Sequence, residues 1–250
     1  MNKNALILID GAGSGIGKAT ALTLNASGAK IVAVGRNGEK LLRVKEECRF
    51  PDLFFCETKD ISENVSSLPE WVKELVEKYG AFSGYVHAAG VLNPQPMKVL
   101  DYDDMISDFN TNLFSALFII KELARKKNRQ ERLDIVCVSS ITAKIGNPGS
   151  VTYGMTKAAI NNMVSSVAQE IGGKSIRINA VCPGGTKTAM AERYNEIISY
   201  DYLEKCRERN VFHEDGKPEY IADVIAFLLS DKSYWIQGQC LTVDGGETLS

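Results

Sequence analysis

The segment Leu6-Ile7-Leu8-Ile9-Asp10-Gly11-Ala12-Gly13-Ser14-Gly15-Ile16-Gly17 passes from an apolar run into a cluster of glycines. The apolar run predicts a buried strand, and residues 18–26 continue with a helical pattern. A strand, a turn and a helix in this order bring backbone N–H groups and the positive end of a helix dipole to one point, where they favour an anion such as phosphate. The glycines are spaced G-x-x-x-G-x-G rather than G-x-G-x-x-G, and a glycine cluster alone is equally consistent with a tight turn.

Further along the chain, short apolar runs alternate with helical periodicity. Strand-like runs are predicted at residues 5–10, 30–34, 53–57, 84–88, 133–139, 176–181 and 239–243. The first four intervals each hold a helix long enough to cross over a sheet, and continuous apolar strands indicate burial on both faces. We therefore predict an α/β fold, with one doubly wound domain over residues 1–250 and a seven-stranded, mostly parallel sheet between helices on both faces.

Composition narrows the possible functions. Hydrophobic residues make up 44% of the chain, charged residues 24%, and the net charge is −2, which excludes a strongly basic nucleic-acid binder. The first nine residues offer one lysine and a run of five apolar positions before Asp10, too few for a signal sequence or a membrane span, so we expect a cytoplasmic protein without membrane partners. Six scattered cysteines and two histidines predict neither a disulfide framework nor a metal site.

A second motif suggests acid/base chemistry. Tyr153 and Lys157 are four residues apart, so on a helix they lie on the same face, and the ammonium would favour the phenolate. A free tyrosine titrates near ~10, which is too high for easy proton exchange at neutral pH without such a neighbour. The pair alone is weak, because a half-buried tyrosine beside a solvated lysine occurs on many amphipathic helices.

Taken in order, these motifs resemble the compact short-chain dehydrogenase/reductases, which are Rossmann-fold proteins of about this length. The likeness runs from Leu6 to Val243-Asp244-Gly245-Gly246. It rests on the glycine turn, Asp60 after the third strand, Ala89-Gly90 after the fourth, Asn112 in the fourth helix, Ser140, Tyr153 with Lys157, and Pro183-Gly184 followed by Thr188.

The resemblance implies hydride transfer between a nicotinamide cofactor and a carbonyl or secondary alcohol. Tyr153 would donate the proton to the carbonyl oxygen, which the Ser140 hydroxyl would hold in place. Lys157 would lower the Tyr153 pKa and bind the nicotinamide ribose, and Asn112 would help to hold a water that connects Lys157 to solvent. The simpler alternatives are that Ser140 caps the next turn and that Asn112 bonds its own helix backbone.

The same resemblance implies a cofactor site along the strand ends. Its residues would be Gly11, Ser14, Gly15, Ile16, Gly17, Arg36, Asn37, Asp60, Ile61, Ala88, Ala89, Gly90, Tyr153, Lys157, Pro183, Gly184, Thr186 and Thr188. At the end of the second strand Gly35 replaces the acid that would bind a ribose 2′-hydroxyl, and Arg36 offers a cation suited to a 2′-phosphate. We therefore favour NADP(H) over NAD(H). Arg36 could instead be a solvated charge, and Ser14 stands where many NADP-using relatives carry a second basic residue.

Two positions depart from the family pattern. Asp10 stands where threonine is usual before the first glycine, and His87 replaces the asparagine that usually opens the motif His87-Ala88-Ala89-Gly90. Because the first and fourth strands are neighbours in a doubly wound sheet, we hypothesise that the two side chains interact. Alternatively, Asp10 accepts backbone N–H bonds in the glycine turn and His87 points elsewhere.

Substrate and assembly are less defined. Residues 189–217 correspond to the substrate lid of relatives, although their apolar residues could equally form stripes of two surface helices. A basic cluster of Arg125, Lys126, Lys127, Arg129 and Arg132 makes an acyl carrier protein a candidate partner, but cations at a helix end also complement the helix dipole. A homotetramer or homodimer is expected. The alternative function is a catalytically silent sensor or regulatory subunit that binds the cofactor.

Overall fold

A seven-stranded parallel sheet forms the centre of the computed structural model, which describes residues 5–249. The strands are β1 (Leu6–Asp10), β2 (Lys30–Gly35), β3 (Phe54–Thr58), β4 (Phe82–His87), β5 (Arg129–Val138), β6 (Ile176–Pro183) and β7 (Cys240–Val243). Their order is β3-β2-β1-β4-β5-β6-β7, and all six pairings are parallel. The predicted fold class is confirmed, and the sheet is wholly rather than mostly parallel.

Strand limits differ from the sequence prediction mainly in β5. This strand starts at Arg129, four residues before the apolar run at Leu133, because Arg129 pairs with Phe82 ahead of a register shift. Polar residues at its start do not disturb the pairing, since this end of the strand lies near solvent.

Helices cover both faces of the sheet. They are α1 (Gly15–Ala26), α2 (Gly38–Glu47), α3 (Leu68–Tyr79), α4 (Tyr102–Phe109), α5 (Ser115–Leu123), α6 (Val151–Ile171), α7 (Ala189–Asn195), α8 (Tyr200–Arg209) and α9 (Pro218–Leu228). A π-helical turn, Asn110–Phe114, joins α4 to α5. Within residues 5–249, no helix combines the length and apolar character needed to cross a membrane.

The alternation of side chains along each strand divides the core into two layers. Leu8 and Tyr85 pack with α3, α5 and α6, whereas Ile7 and Ile9 pack with α1, α2 and α9. These residues are almost completely buried, which explains why the strands read as continuous apolar runs.

The functional edge of the sheet follows from its strand order. The chain runs from β1 outward to β3 and then returns to β4 on the other side of β1, so the crossovers diverge between β1 and β4. Divergence opens a crevice at the carboxyl ends of these strands, which is where doubly wound sheets bind ligands.

Candidate active site

A cleft of about 740 Å³ lies at this carboxyl edge. All the sequence-predicted site residues line it except Gly17 and Asn112. Tyr153 and Lys157 share it with the glycine turn, so one cavity joins the predicted anion site to the predicted acid/base pair.

The glycine turn is held close to the end of β4. Gly11 has φ +62°, and a Cβ atom there would lie 2.6 Å from the Ala89 nitrogen. At Gly17 a Cβ atom would lie 2.3 Å from the Gly11 carbonyl oxygen, so this glycine packs the helix against the turn instead of lining the cleft. Side chains are therefore excluded, and α1 presents its N-terminus to the cleft as bare backbone.

Basic side chains surround the end of β2. Arg36 has a side chain that is 68% exposed, and its Nη1 lies 3.9 Å from Asp60 Oδ2. The Asn37 side chain caps α2 by accepting a 2.9 Å bond from the Lys40 N–H. Lys40 and Lys59 also line the cleft. Neither lysine was among the predicted site residues, although Lys59 directly follows the end of β3 and Lys40 lies in the first turn of α2, soon after β2.

The hypothesis that Asp10 and His87 interact is confirmed. His87 Nδ1 lies 2.8 Å from Asp10 Oδ2, and both side chains are buried. Asp10 Oδ1 also accepts bonds of 2.8 and 2.7 Å from the N–H groups of Ala88 and Ala89. The carboxylate thus bonds to backbone at the end of β4 rather than within the glycine turn.

Ser140 lies at the end of β5, facing the helix that carries Tyr153. Its Oγ accepts a 3.1 Å bond from the Thr142 N–H, so Ser140 does cap the next turn, as the simpler alternative predicts. An accepted bond leaves the hydroxyl proton free to donate, and Ser140 lies close enough to Tyr153 to oppose the rise in its pKa. Capping therefore orients Ser140 without occupying its donor.

Burial dominates the ionisation of the Tyr153 and Lys157 pair. It raises the pKa of Tyr153 to about 12, against which the Ser140 hydrogen bond acts. Burial also lowers the pKa of Lys157 to about 8. The expectation that Lys157 lowers the Tyr153 pKa is therefore wrong for the protein alone. The Lys157 ammonium donates a 2.9 Å bond to the Val138 carbonyl and lies 5.4 Å from the centre of the Tyr153 ring.

Asn112 lies behind the cleft, in the π-helical turn. Its Oδ1 accepts a 2.7 Å bond from the Val91 N–H, and its Nδ2 donates to the Val91 carbonyl at 3.0 Å and to Thr156 Oγ1 at 3.1 Å. The alternative that Asn112 merely bonds its own helix is therefore wrong. The side chain instead ties the loop after β4 to the helix that carries Tyr153.

The last predicted cofactor residues form the wall after β6. Thr186 Oγ1 donates a 3.0 Å bond to the Gly184 carbonyl, and Thr188 Oγ1 caps α7 by accepting from the Ala191 N–H at 3.2 Å. Pro183 ends β6 and also lines the cleft. These hydroxyls fix the backbone from which α7 starts.

Helices α7 and α8 lie over the outer part of the cleft. The Tyr202 hydroxyl donates a 2.8 Å bond to Asn147 Oδ1, and the Tyr194 hydroxyl donates a 3.3 Å bond to the Pro148 carbonyl. Both tyrosines line the cleft, whereas Ile197 and Tyr200 are exposed. The apolar residues of this segment therefore divide between cleft wall and surface.

The basic cluster lies at the opposite edge of the sheet. Arg129 opens β5, and Ser140 follows the end of this ten-residue strand, so roughly 30 Å separates them at ~3.3 Å per residue. Arg125 pairs with Glu122 at 2.9 Å, and Arg129 Nε donates to the Ala124 carbonyl at 3.3 Å. Both contacts are at the C-terminal end of α5, as the helix-dipole explanation expects.

Two cysteines that are far apart in sequence meet in the fold. Cys182 Sγ donates to Asn161 Oδ1 at 3.6 Å, and Cys240 Sγ donates to the Asn161 carbonyl at 3.8 Å. Both are reduced. Among residues 5–249, no group of three or more His, Cys, Asp or Glu side chains is arranged to hold a metal ion.

This strand order and the cleft at the carboxyl ends of the strands are those of doubly wound α/β proteins that bind nucleotides. A family model described as "Enoyl-(Acyl carrier protein) reductase" matches residues 11–248. The chain is 34% identical to the 3-oxoacyl-[acyl-carrier-protein] reductase of Thermotoga maritima over 240 residues, which is 96% of each chain. It is 33% identical to the reductase of the same description from Staphylococcus epidermidis over 98% of this chain and 99% of that one.

Solved structures agree. A short-chain dehydrogenase/reductase from Brucella melitensis, described as SDR:Glucose/ribitol dehydrogenase, has a TM-score of 0.89 at 26% identity and covers 99% of this chain and 98% of its own. A short-chain type dehydrogenase/reductase from Mycobacterium ulcerans has a TM-score of 0.87 at 29% identity, with 98% and 90% covered. The chain belongs to the short-chain dehydrogenase/reductase family and is an NAD(P)-dependent enzyme, as the motifs predict.

Proposed function

We propose that this enzyme is an NADP(H)-dependent carbonyl reductase in which Tyr153 is the general acid/base. The observation that carries the proposal is the meeting of Ser140, Tyr153 and Lys157 in the same cleft as the glycine turn. The cofactor fits this cleft, because bare backbone at Gly11 and Gly15 leaves room for phosphates beside the N-terminus of α1.

The chemistry divides among the residues of the chain. A bound nicotinamide dinucleotide would supply the hydride that reduces the carbonyl carbon. Tyr153 gives its phenolic proton to the carbonyl oxygen, and the Ser140 hydroxyl donates a hydrogen bond to the same oxygen. Lys157 lies beside the tyrosine ring and holds its ammonium on the Val138 carbonyl. The Lys157 cation favours the phenolate once the proton has left Tyr153, and Lys157 then returns a proton to Tyr153 from solvent.

Three cations support NADP(H) over NAD(H). Arg36, Lys40 and Lys59 line the cleft around the end of β2, where the adenosine ribose of the cofactor would lie. Gly35 at the end of β2 offers no carboxylate to repel a 2′-phosphate. Asp60 already lies within 3.9 Å of Arg36, and a phosphate would compete with it for the guanidinium.

For the substrate, we infer a compound that carries further polar groups near its reactive carbonyl. A 3-oxoacyl thioester is the first compound to test. The relatives from Thermotoga maritima and Staphylococcus epidermidis are 3-oxoacyl-[acyl-carrier-protein] reductases by name. Asn147, Arg207 and Glu247 line the same cleft as Tyr194 and Tyr202, two tyrosines of the lid, residues 189–217. The basic cluster, the candidate docking surface for an acyl carrier protein, begins at the opposite end of β5 from Ser140.

A homotetramer or homodimer is part of the proposal. Leu117 on α5 and Met155 and Ile171 on α6 are apolar side chains exposed on the single chain. Burying such residues between copies is the usual use of an apolar helix face. Light scattering that gives the mass of one chain would contradict this part.

The decisive experiment is a substrate panel. The purified protein is mixed with NADPH or NADH and a series of 3-oxoacyl thioesters, ketones, sugars and steroids. Oxidation of the cofactor is followed by the loss of the absorbance band of the reduced nicotinamide. We expect turnover with NADPH and at least one carbonyl compound. Tight cofactor binding without oxidation across the panel would instead favour the catalytically silent sensor. A sensor of that kind has no need of Tyr153 and Lys157.

A further inference from the structure

Three polar side chains are buried together where β1 and β4 meet below the cleft. Asp10 is 1% exposed, and His87 and Tyr85 are 0% exposed. Asp10 Oδ2 accepts a 2.6 Å bond from the Tyr85 hydroxyl and lies 2.8 Å from His87 Nδ1. On the other side of the ring, His87 Nε2 lies 3.0 Å from the main-chain carbonyl oxygen of Asn112. The imidazole therefore bridges a carboxylate and a carbonyl.

Counting donors and acceptors fixes the protons of this group. The Asn112 carbonyl can only accept, so His87 Nε2 carries a proton. Asp10 already accepts from Tyr85, Ala88 and Ala89, so a carboxylate with room for one more donor faces Nδ1. Burial opposes that charge, but the interaction with His87 and the bonds from His87, Tyr85 and Ala89 lower the pKa of Asp10. From these partners we infer that both ring nitrogens donate, Nδ1 to Asp10 and Nε2 to the Asn112 carbonyl.

The carbonyl that His87 holds belongs to an irregular turn. Asn110–Phe114 is π-helical, and the Ser115 N–H bonds the Asn110 carbonyl five residues back. A π-helical turn is a weak point in a helix, and such turns are frequent at functional sites. The π-helical turn has less regular hydrogen bonds of its own, and the bond from His87 on β4 to the Asn112 carbonyl therefore helps to fix its position.

From this turn a chain of hydrogen bonds reaches the catalytic helix. Asn112 Nδ2 donates to Thr156 Oγ1 at 3.1 Å, and Thr156 Oγ1 donates to the Tyr153 carbonyl at 2.8 Å. Of the residues in this chain of hydrogen bonds, only Tyr153 is proposed to take part directly in the reaction. Movement at the Asn112 carbonyl would thus be passed to the backbone of Tyr153.

We propose that His87, charged and anchored by Asp10, is a positioning residue that holds the Asn112 turn and, through Thr156, the general acid Tyr153. The proposal rests on the proposed function of Tyr153. It gives a purpose to the two departures from the family pattern, because a threonine and an asparagine in these positions form a neutral pair without a donor as long as imidazole. Loss of the Asn112 contact should affect the chemical step more than cofactor binding.

Two amide substitutions separate the two bonds of the ring. In His87→Asn the amide nitrogen can take the place of Nδ1 and bond Asp10, but it does not reach the Asn112 carbonyl. In His87→Gln the longer side chain can place its amide nitrogen near the position of Nε2 and bond that carbonyl. Both variants remove the same charge from beside Asp10, so they serve as controls for each other.

The test uses the full-length enzyme with NADPH and its best substrate from the panel. We expect kcat to fall about 10- to 100-fold in His87→Asn and less than about 5-fold in His87→Gln, since one charged hydrogen bond is worth roughly 1.5–3 kcal/mol. Cofactor Kd and melting temperature should change equally in the two variants. Equal kcat values in two folded variants would overturn the proposal, because a purely structural histidine predicts no difference between them.

Two further measurements separate this inference from the proposed function. Ser83→Ala removes two other bonds between the same two strands, at the edge away from the cleft, because the Ser83 hydroxyl accepts from the Leu6 N–H and donates to the Leu6 carbonyl. This variant should lower stability and leave kcat unchanged. The ¹⁵N spectrum of the imidazoles in the resting protein should show His87 protonated at both nitrogens. If the wild-type protein reduces no carbonyl compound, the proposed function fails. If the spectrum shows His87 protonated at only one nitrogen, the proposal that a charged His87 holds the Asn112 turn fails, whatever the activity.

Discussion

The two ends of the cleft are built in different ways. The proposed cofactor end consists of strand ends and helix N-termini, where Asp10 joins β1 to β4 by buried hydrogen bonds and Gly11 approaches the Ala89 backbone closely. The proposed substrate end consists of α7, α8 and the loop after β5, which meet through bonds from Tyr194 and Tyr202 to Pro148 and Asn147. The first is fixed by the sheet itself, and the second by a few side-chain contacts near solvent.

This difference corresponds to two tasks of the cleft, which are binding a dinucleotide and binding a particular substrate. A dinucleotide needs the same bare backbone wherever it binds, so that end is determined by the fold. Substrates differ in size and polarity, so the other end must be able to change without disturbing the sheet. Variants at each end should therefore affect different kinetic constants.

The largest effect is expected where the two ends meet, at Tyr153. In Tyr153→Phe, kcat should fall by roughly 10²- to 10⁴-fold, because the general acid is lost. Cofactor Kd, measured by nucleotide fluorescence, should stay within about 3-fold, since the cleft wall is unchanged. Tyr79→Phe removes a hydroxyl that bonds Glu57 outside the cleft and is the matched control. Normal turnover in Tyr153→Phe would show that another group gives the proton.

At the cofactor end, Arg36→Ala tests the preference for NADP(H). The ratio of kcat/KM with NADPH to kcat/KM with NADH should fall about 10- to 100-fold, as expected for the loss of one charge-assisted phosphate contact. Arg43→Ala, an exposed arginine on α2 outside the cleft, is the control and should leave the ratio unchanged. A wild-type enzyme that prefers NADH would count against Arg36 as a phosphate ligand.

How well each end could be predicted follows from the same contrast. The glycine turn and the strand before it were predictable, because a tight turn between strand and helix limits the residue types. Lys40 and Lys59 were not, because which exposed lysine faces a cleft depends on the tertiary fold. The raised pKa of Tyr153 was missed since spacing shows that Lys157 is near but not how deeply the phenol is buried.

The substrate end gave less to predict from. Tyr202 and Asn147 are 55 residues apart, and nothing local in the sequence pairs them. The same holds for the basic cluster, whose distance from the cleft depends on the direction of β5. In contrast, Asp10 and His87 were paired correctly because neighbouring parallel strands bring equivalent ends together, and the register puts them directly opposite.

Lys157 provides a stability test at the junction of the two ends. Its folded pKa of about 8 is below the ordinary 10.5, so folding disfavours its charge. The cost is present in full below pH 8 and disappears as pH rises towards 10.5. Lys157→Met should therefore be inactive yet more stable than wild type at pH 7, by about 1–3 kcal/mol after the loss of the bond to Val138.

Urea unfolding at pH 7 and pH 10 measures this effect. The advantage of Lys157→Met should shrink at the higher pH, because wild-type Lys157 is then neutral in the folded protein. Lys126→Met changes an exposed lysine and should show no such pH dependence. A Lys157→Met variant that is less stable than wild type at pH 7 would mean that the ammonium is solvated better than its burial indicates.

The smallest effect is expected at the substrate end, in Tyr202→Phe. This change removes only the bond between the lid and Asn147 and keeps the ring in the cleft wall. A neutral hydrogen bond is worth about 0.5–1.5 kcal/mol, so KM for the carbonyl substrate should rise roughly 2- to 10-fold while cofactor Kd stays constant. Tyr200→Phe, at an exposed position on the same helix, should leave both constants unchanged. If Tyr202→Phe raised cofactor Kd as much as KM, the two ends would be mechanically coupled and the division between a fixed cofactor end and an adaptable substrate end would not hold.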